Sequence, residues 1–467
     1  MRRNILPIGA VITAALWPIA DILAANGAAA VPPKEGFEWA LGLIVAGLIA
    51  AAAVTFLVGT FRRGATIVAP LMVCFFGYAA LEPLLGKLVG LMGLHNGRPF
   101  LYAVVFGAFA IWLLKSSTQA LTQRWALMAP IAFLASSCVL AALAGGWTTP
   151  HAVAREMPKL SASGNVYHFL FDGLARPEVL KSKLDLTVID SNAAFSRLGF
   201  VVPEHVVAAY PWTTESVSSI LNLGAAPGPG EKFRVESSAV VQEFRRSGYH
   251  YGRYGEVFAS LVCSGDEDVC VSTKSGLSEF DTTMLRRTPI YPAVRRRLAS
   301  STSSRTLPSN LRRIAETRLP QPTYFFSYMV PPHPPYFFSK ACKAEGNNSD
   351  FRTWGKVGIE RYGYAYNCTI SAMLRAAKTI EQRDPTAIII VSGDHGTMFK
   401  HAGPARGAWP IAAREERFPV FLAIRGPARC HLSFAHITYL PKLYPAVFAC
   451  LQRPSAPRTT SSPNVSS

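Results

Sequence analysis

The stretch T-A-I-I-I-V-S-G-D-H-G-T-M, Thr386 to Met398, decides how this chain is read. Ala387 to Val391 is an unbroken, largely β-branched apolar run, the pattern of a short strand buried on both faces. It stops at Ser392-Gly393-Asp394-His395-Gly396, where an acid and an imidazole stand side by side between glycines. A carboxylate oxygen and an imidazole nitrogen are both ligands for zinc or manganese. The same residues also read as a plain polar turn. Which reading holds depends on whether the rest of the chain supplies further ligands and a nucleophile.

Two upstream strands end in the same manner. Asn165–Phe171 (N-V-Y-H-F-L-F) runs into Asp172-Gly173, and Thr323–Val330 (T-Y-F-F-S-Y-M-V) runs into a proline frame around His333. In open α/β sheets ligands bind beyond the carboxyl ends of strands, so such groups can meet at one site. Taken singly, Asp-Gly is a common turn and a His among prolines is a loop. A fourth element is Tyr210-Pro-Trp-Thr-Thr-Glu-Ser216, extended chain followed by a helix-like run. Thr213 there reads as an ordinary helix cap, with Ser216 in support. It equally places a hydroxyl at the positive end of a helix dipole, where free N–H groups suit a phosphoryl or sulfuryl group. Coordinated to a metal, that hydroxyl can lose its proton and attack.

Around these elements helix and strand alternate. The pattern predicts helices over 177–198, 240–246 and 362–381, and strands over 200–207, 249–254 and 418–424. Residues 282–319 are rich in Arg, Ser and Pro and read as a solvated insertion, or as a basic segment on anionic headgroups. Residues 147–163 read as a linker, and the Ser/Pro/Thr-rich 453–467 as a disordered tail.

The first 146 residues differ in kind. Half of the 467 residues are apolar, and nearly all long apolar runs precede Pro150. About five stretches approach the roughly 20 residues needed to cross a bilayer. They are 5–25, 39–61, 66–85, 100–114 and 125–145; near the end of the third, Glu82 and Lys87 are expected to pair, the alternative being that they line a polar cavity facing the soluble domain. Arg2, Arg3, Arg62, Arg63, Lys115 and Arg124 fall on one side, against Lys34 and Arg98 on the other. By the positive-inside rule, five crossings leave everything after about Gly146 outside the cytoplasm, in a multi-pass protein of the cell (inner) membrane. Cleavage after the Ala-rich stretch beyond Leu23 would leave the same outcome.

Charge and cysteines agree with export. Nine Lys/Arg and four Asp/Glu precede residue 151, so +13 of the net +18 lies beyond it. That surplus favours phospholipid or another anionic envelope substrate; without a nucleic-acid motif, nucleic acid is disfavoured. Cys74 and Cys138 lie in predicted spans as apolar filler, whereas Cys263, Cys270, Cys342, Cys368, Cys430 and Cys450 lie in the exported part. An even count suits disulfides in an oxidising compartment. Proximity favours Cys263–Cys270 and leaves the other pairings open; no Cys-x-x-Cys points to structural zinc.

Four motifs together resemble the alkaline phosphatase superfamily in its sulfatase-like branch. They are N-V-Y-H-F-L-F-D-G ending at Gly173, Y-P-W-T-T-E-S-V-S-S-I-L-N ending at Asn222, Y-M-V-P-P-H-P-P-Y ending at Tyr336, and I-I-I-V-S-G-D-H-G ending at Gly396. A multi-span half followed by an exported domain is similar to the lipoteichoic-acid synthases and phosphoethanolamine transferases. The resemblance implies an α/β/α sandwich with a central mixed, mostly parallel sheet over 164–452. It implies Asp172, Thr213, Asp394 and His395 as ligands of one divalent ion, manganese or zinc. Thr213 would be the nucleophile, with the T-x-x-S spacing preferring it to Thr214. His333 would bind the transferred group or protonate the leaving oxygen, and His401 would be a substrate-side histidine. The sulfatase C/S-x-P-x-R motif is absent, which argues against sulfate-ester hydrolysis. Asp172-Gly173, where two-metal members carry Asp-Asp, favours a single ion. The expected function is transfer of a phospho-alcohol headgroup from lipid to an envelope acceptor. The alternatives are a sulfatase-like phosphodiesterase or sulfuric-ester hydrolase, and, from another class, an inactive binding or scaffold module. The filled core positions speak against the last, and five spans without an internal repeat speak against a transporter.

Overall fold

The structure, a computed structural model, describes residues 5–26, 33–81, 84–85, 98–143, 160–161, 164–225, 234–255, 263, 266–272, 279–291, 294, 303–344, 354–400 and 409–452. Glu82, Lys87, most of the predicted linker, the predicted tail and His401 lie outside these residues.

The amino-terminal part is a helical bundle: α1 (Ile5–Asn26), α2 (Pro33–Val58), α3 (Phe61–Phe76), α4 (Arg98–Ser116) and α5 (Ala120–Leu143). Three of these hold segments long and apolar enough to cross a membrane, Ile5–Ala24, Glu35–Val58 and Ala120–Leu140. The predicted third span differs most from expectation. Its helix starts earlier, at Phe61, and reaches a Gly77 cap after 16 residues. α1 is the central helix, with 56% of its apolar window buried, whereas α2 buries only 17% of its own. Phe56, Phe37, Phe100 and Trp125 accordingly stand exposed, and most other exposed large apolar side chains lie on these same helices. An apolar surface of that kind belongs in lipid. At one end of the bundle Arg63 donates to Val58 O and to Ser117 Oγ, tying the α2–α3 turn to the α4–α5 turn.

The second part opens with β1 (Val166–Phe171), α6 (Pro177–Leu184), α7 (Ser191–Ser196), α8 (Thr213–Leu221) and α9 (Ala239–Arg246). It continues through β2 (His250–Gly255), β3 (Val269–Ser272), α10 (Glu279–Arg286), α11 (Ser303–Glu316), β4 (Thr323–Met329) and α12 (Lys356–Arg383). Last come β5 (Ile388–Gly393), α13 (Ile411–Arg417), β6 (Leu422–Arg425), α14 (His431–Ala435) and α15 (Leu443–Leu451). The six strands run in the order β3-β2-β4-β1-β5-β6. Every neighbouring pair is parallel except β5–β6. Strand periodicity divides the core in two. Val166, Leu170, Ile388 and Ile390 join α8, α9 and α15 on one face. Tyr167, Phe169, Ile389 and Val391 join α6, α7, α11 and α12 on the other. This is the expected α/β/α sandwich with a mostly parallel sheet.

Several local expectations are corrected. The single helix over 177–198 is two, because Asp185 closes the first in the left-handed region at φ 51°. Residues 200–207 form isolated bridges through Val201 and Val207 instead of a strand. Pro203 and His205, the latter at φ 56°, interrupt any regular ladder there. The last strand begins later than predicted, at Leu422. β3 was not anticipated; it is only four residues long and is joined to the preceding loop by Cys263–Cys270. The remaining cysteines of the second part pair as Cys342–Cys368 and Cys430–Cys450, while Cys74 and Cys138 are free.

The basic region 282–319 is not simply a solvated insertion. Leu307, Leu311 and Ile314 of α11 recur at helical spacing and are buried in the core beside α12. Ahead of it, α10 docks on the bundle, with Phe280 and Met284 buried in a cluster with Trp17, Ile22 and Phe76. Trp39 Nε1–H donates to Asp281 Oδ1 at 2.6 Å, and Arg287 pairs with Asp21. These contacts fall at the bundle end away from Arg63 and Ser117. Phe280→Ala should therefore destabilise the detergent-solubilised chain by about 3 kcal/mol, seen as a lower unfolding midpoint. Phe280→Leu should keep most of the midpoint, and an unchanged midpoint in Phe280→Ala would refute the docking.

Candidate active site

β4, β1 and β5 are neighbours, so the residues that follow them emerge side by side at one edge of the sheet. Asp172, His333 and Asp394-His395 thus come together, as their strand-end positions implied. Asp172, Asp394 and His395 are all buried, and one ligand atom from each lies within 4.8 Å of the others. Asp172 Oδ1 is 3.4 Å from His395 Nε2, and Asp394 Oδ2 is 3.3 Å from the same nitrogen.

The hydrogen bonds around these residues settle which atoms remain for a ligand. Asp394 Oδ1 accepts from the backbone N–H of Gly173 and of His395, at 2.9 and 2.8 Å. Tyr328 O–H donates to Asp172 Oδ2 at 2.5 Å. Each carboxylate therefore has one oxygen held, while Asp172 Oδ1 and Asp394 Oδ2 are buried and meet no donor. His395 Nδ1 lies 3.0 Å from Gly396 O, a carbonyl that can only accept, so the ring proton is on Nδ1 and Nε2 carries the lone pair. Burial, and then the Arg417 charge, lower the His395 pKa well below its ordinary value and keep the ring neutral. Burial raises both carboxyl pKa values, and at Asp394 the facing Asp172 charge raises it further. Two carboxylate oxygens and one imidazole nitrogen thus converge on a common point. Buried polar atoms without partners are costly, and a divalent cation is the partner this N/O set fits.

Thr213 stands at the mouth of this cluster. It is the first residue of α8, behind an N-cap at Trp212 that lacks a side-chain bond, so its hydroxyl is not used in capping. Thr213 Oγ1 instead lies 3.1 Å from His395 Nε2. Thr214 is exposed, and Ser216 O–H donates to Asp394 O at 2.6 Å, tying α8 to the end of β5. His333 is half-buried; its Nδ1–H donates to Pro334 O at 2.6 Å, leaving Nε2 as the atom open to a proton. Burial lowers its pKa to about 4. Its ring meets Trp354 edge-on and lies 6.5 Å, centre to centre, from that of His395.

The turns have two different reasons for glycine. Gly173 has φ 69°, in the region that favours glycine. At Gly396 a Cβ would sit 2.3 Å from Glu416 O, so close approach is the requirement.

Sequence reasoning missed Glu416 and Arg417. They close A-A-R-E-E-R in α13, a string that resembles a solvated charged helix, yet both are buried. Glu416 accepts from Thr397 O–H, Phe399 N–H and Lys400 N–H at 2.6, 2.6 and 2.8 Å. Arg417 donates to Pro211 O, Gly396 O and His395 Nε2 at 2.7, 2.8 and 2.9 Å. The only available signal was position, a charged pair directly before a buried strand.

No family model and no curated protein matches this sequence. Among solved structures, the chain is similar to the integral membrane protein lipooligosaccharide phosphoethanolamine transferase A from Neisseria meningitidis. That likeness covers 95% of this chain and 94% of the other, at 11% identity and a TM-score of 0.41. It is also similar to the zinc-complexed carboxyl-terminal periplasmic domain of EcEptC from Escherichia coli, over 63% of this chain and 86% of that one, at 12% identity and a TM-score of 0.38. A third is the phosphonate monoester hydrolase of Agrobacterium radiobacter, over 62% and 74%, at 13% identity and a TM-score of 0.39. At such values what the site does has to be argued from this chain's own residues.

Glu416→Ala would strand three donors in the loop that follows His395. It should cost roughly 3 kcal/mol in thermal unfolding and weaken zinc affinity, although Glu416 is not among the converging ligand atoms. Unchanged zinc affinity in a folded variant would show that the loop does not orient the ligands.

Proposed function

We propose that this chain is a membrane-anchored, metal-dependent transferase. It moves a phospho-alcohol headgroup, of phosphoethanolamine or phosphoglycerol type, from a lipid to an envelope acceptor through a covalent threonine. The observation that carries this reading is the convergence of Asp172 Oδ1, Asp394 Oδ2 and His395 Nε2 beside the Thr213 hydroxyl, which lies 3.1 Å from that nitrogen. These three residues, with Thr213, would hold one zinc or manganese ion. Such an ion polarises a phosphoryl group and lowers the pKa of a neighbouring hydroxyl.

Thr213 Oγ1 attacks phosphorus and the lipid alcohol leaves. The start of α8 would offer its first backbone N–H groups to the phosphoryl oxygens as they gain charge. His333, unprotonated at Nε2, carries the Thr213 proton to the leaving oxygen. In the second half it takes the proton of the acceptor hydroxyl as that oxygen replaces Thr213, and then returns it to the freed threonine. His401 is kept as a substrate-side residue of the same reading.

The domain assignment follows: a membrane domain of about five spans over 1–146, a linker to 163, a catalytic domain over 164–452 on the extracytoplasmic side, and a tail. Clustering of Arg63 and its neighbouring basic residues at one end of the bundle, with α10 docked at the other, supports that orientation. An extracytoplasmic domain also accounts for three disulfides.

Intact-mass analysis of the zinc- or manganese-loaded chain with headgroup-labelled phospholipid tests the reading. A headgroup-sized adduct on Thr213, absent in Thr213→Ala and after chelation, is expected. Thr213→Ala should lower turnover by at least about 1,000-fold, the scale of losing a covalent nucleophile. Release of the label to water alone, with no lipid or glycan acceptor labelled, would make the enzyme a hydrolase. No adduct and no bound metal would refute both.

A further inference from the structure

We propose that Arg417 is a substrate-binding residue of this site. Its Nη2–H rests on His395, and a divalent ion that takes the imidazole lone pair would free it for a non-bridging oxygen of a phosphodiester. The inference rests on the metal-site reading above and adds to it a residue and a charge class of substrate.

The guanidinium is held in place by everything except the contact it would give up. Nε–H and one Nη1–H are bound to the backbone carbonyls of Pro211 and Gly396, which set the plane of the fork. The rings of Trp212 and Trp354 lie 5.8 and 5.9 Å from Cζ. The remaining contact, Nη2–H to His395 Nε2 at 2.9 Å, uses the only lone pair on that ring, because Nδ1–H is committed to Gly396 O. A metal ion and Arg417 cannot both use that lone pair. Ligation therefore leaves an Nη2–H without its acceptor, in a residue only 2% exposed. The second N–H groups on Nη1 and Nη2 make the fork able to take a phosphoryl oxygen in a bidentate or shared fashion.

Charge points the same way. Asp394 and Asp172 are the largest electrostatic supports of the buried guanidinium, ahead of Glu416. A divalent ion neutralises those two carboxylates, and Glu416 is occupied by its three donors. Counting the ion, Asp172, Asp394, Arg417 and the Glu416 carboxylate, whose donors are all neutral, the loaded site is formally neutral, so it takes up a monoanion more readily than a dianion. A phosphodiester adds a single negative charge to that balance where a phosphomonoester adds nearly two.

Calorimetry on the detergent-solubilised full chain tests this, with zinc titrated first and diethyl phosphate, a monoanionic diester, second. Arg417→Lys and Arg417→Met should bind diethyl phosphate at least 10-fold more weakly when zinc-loaded. Their zinc affinity should be equal to or higher than that of the wild type, since a competing donor has gone. A clamp with no ligand role predicts the reverse: lower zinc affinity and a lower melting midpoint, with diester affinity of the loaded protein unchanged. That result overturns the proposal. Should neither variant fold, a zinc-loaded wild-type structure decides it: Arg417 Nη2 must have left hydrogen-bond distance of His395 Nε2, and finding it still there overturns the proposal. Failure of the wild type to bind zinc would sink the metal reading together with this one, whereas zinc binding with diester affinity indifferent to Arg417 sinks this one alone.

Discussion

The centre of this structure is an electrostatic problem: two buried carboxylates and a neutral imidazole aim lone pairs at a common point. Left uncompensated, such a cluster would oppose folding, because burying charge without a partner is among the largest single costs a protein can carry. The chain manages it by fixing one oxygen of each acid with donors and placing a guanidinium against the imidazole. That arrangement answers part of the cluster's charge and leaves two carboxylate oxygens without donors. The two oxygens left without donors mark where the compensation is incomplete.

The surrounding architecture reads as the means of holding those groups still. Their positions follow from strand order, since β1 sits between β4 and β5 and all three run parallel. A one-residue slip of β5 would turn Asp394 away from Asp172. Register is secured near its end by His168, whose ring nitrogens contact Tyr444 O–H and Ser392 Oγ at 2.7 and 2.8 Å. Burial pushes that histidine's pKa down to about 3, so it serves as a neutral spacer in the core and adds no charge. Gly173 N–H and Ser216 O–H then tie β1 and α8 to Asp394 directly.

Much of this was legible in the sequence, and the limits have a physical pattern. Asp172, Asp394 and His395 could be found because each closes a run of residues whose burial on both faces is written in their composition. Thr213 could be placed beside them because proline and aromatic residues precede a recognisable helix start. Arg417 and Glu416 could not, because A-A-R-E-E-R has the composition of a solvated surface and only the tertiary fold buries its last two residues. The predicted helix over 177–198 failed at Asp185 for a related reason: a left-handed cap at a non-glycine residue leaves little trace in periodicity. The basic insertion misled in the opposite direction. Its arginines dominated the composition, while Leu307, Leu311 and Ile314 carried the packing.

The docking of α10 gives that insertion a purpose in the geometry of the whole chain. Phe280 and Met284 enter the bundle beside Trp17 and Phe76, while Asp281 and Arg287 bond to Trp39 and Asp21. Apolar anchors supply adhesion there, and polar pairs that must be matched supply orientation. α10 is thereby held on the bundle in one orientation. For chemistry on a lipid headgroup such a relation matters more than simple tethering: the reacting phosphorus is confined to a plane, and the nucleophile has to be presented to that plane at the right height. A water-soluble substrate would impose no such demand. Under the proposed function, a specific contact between α10 and the bundle suits a donor held in the membrane.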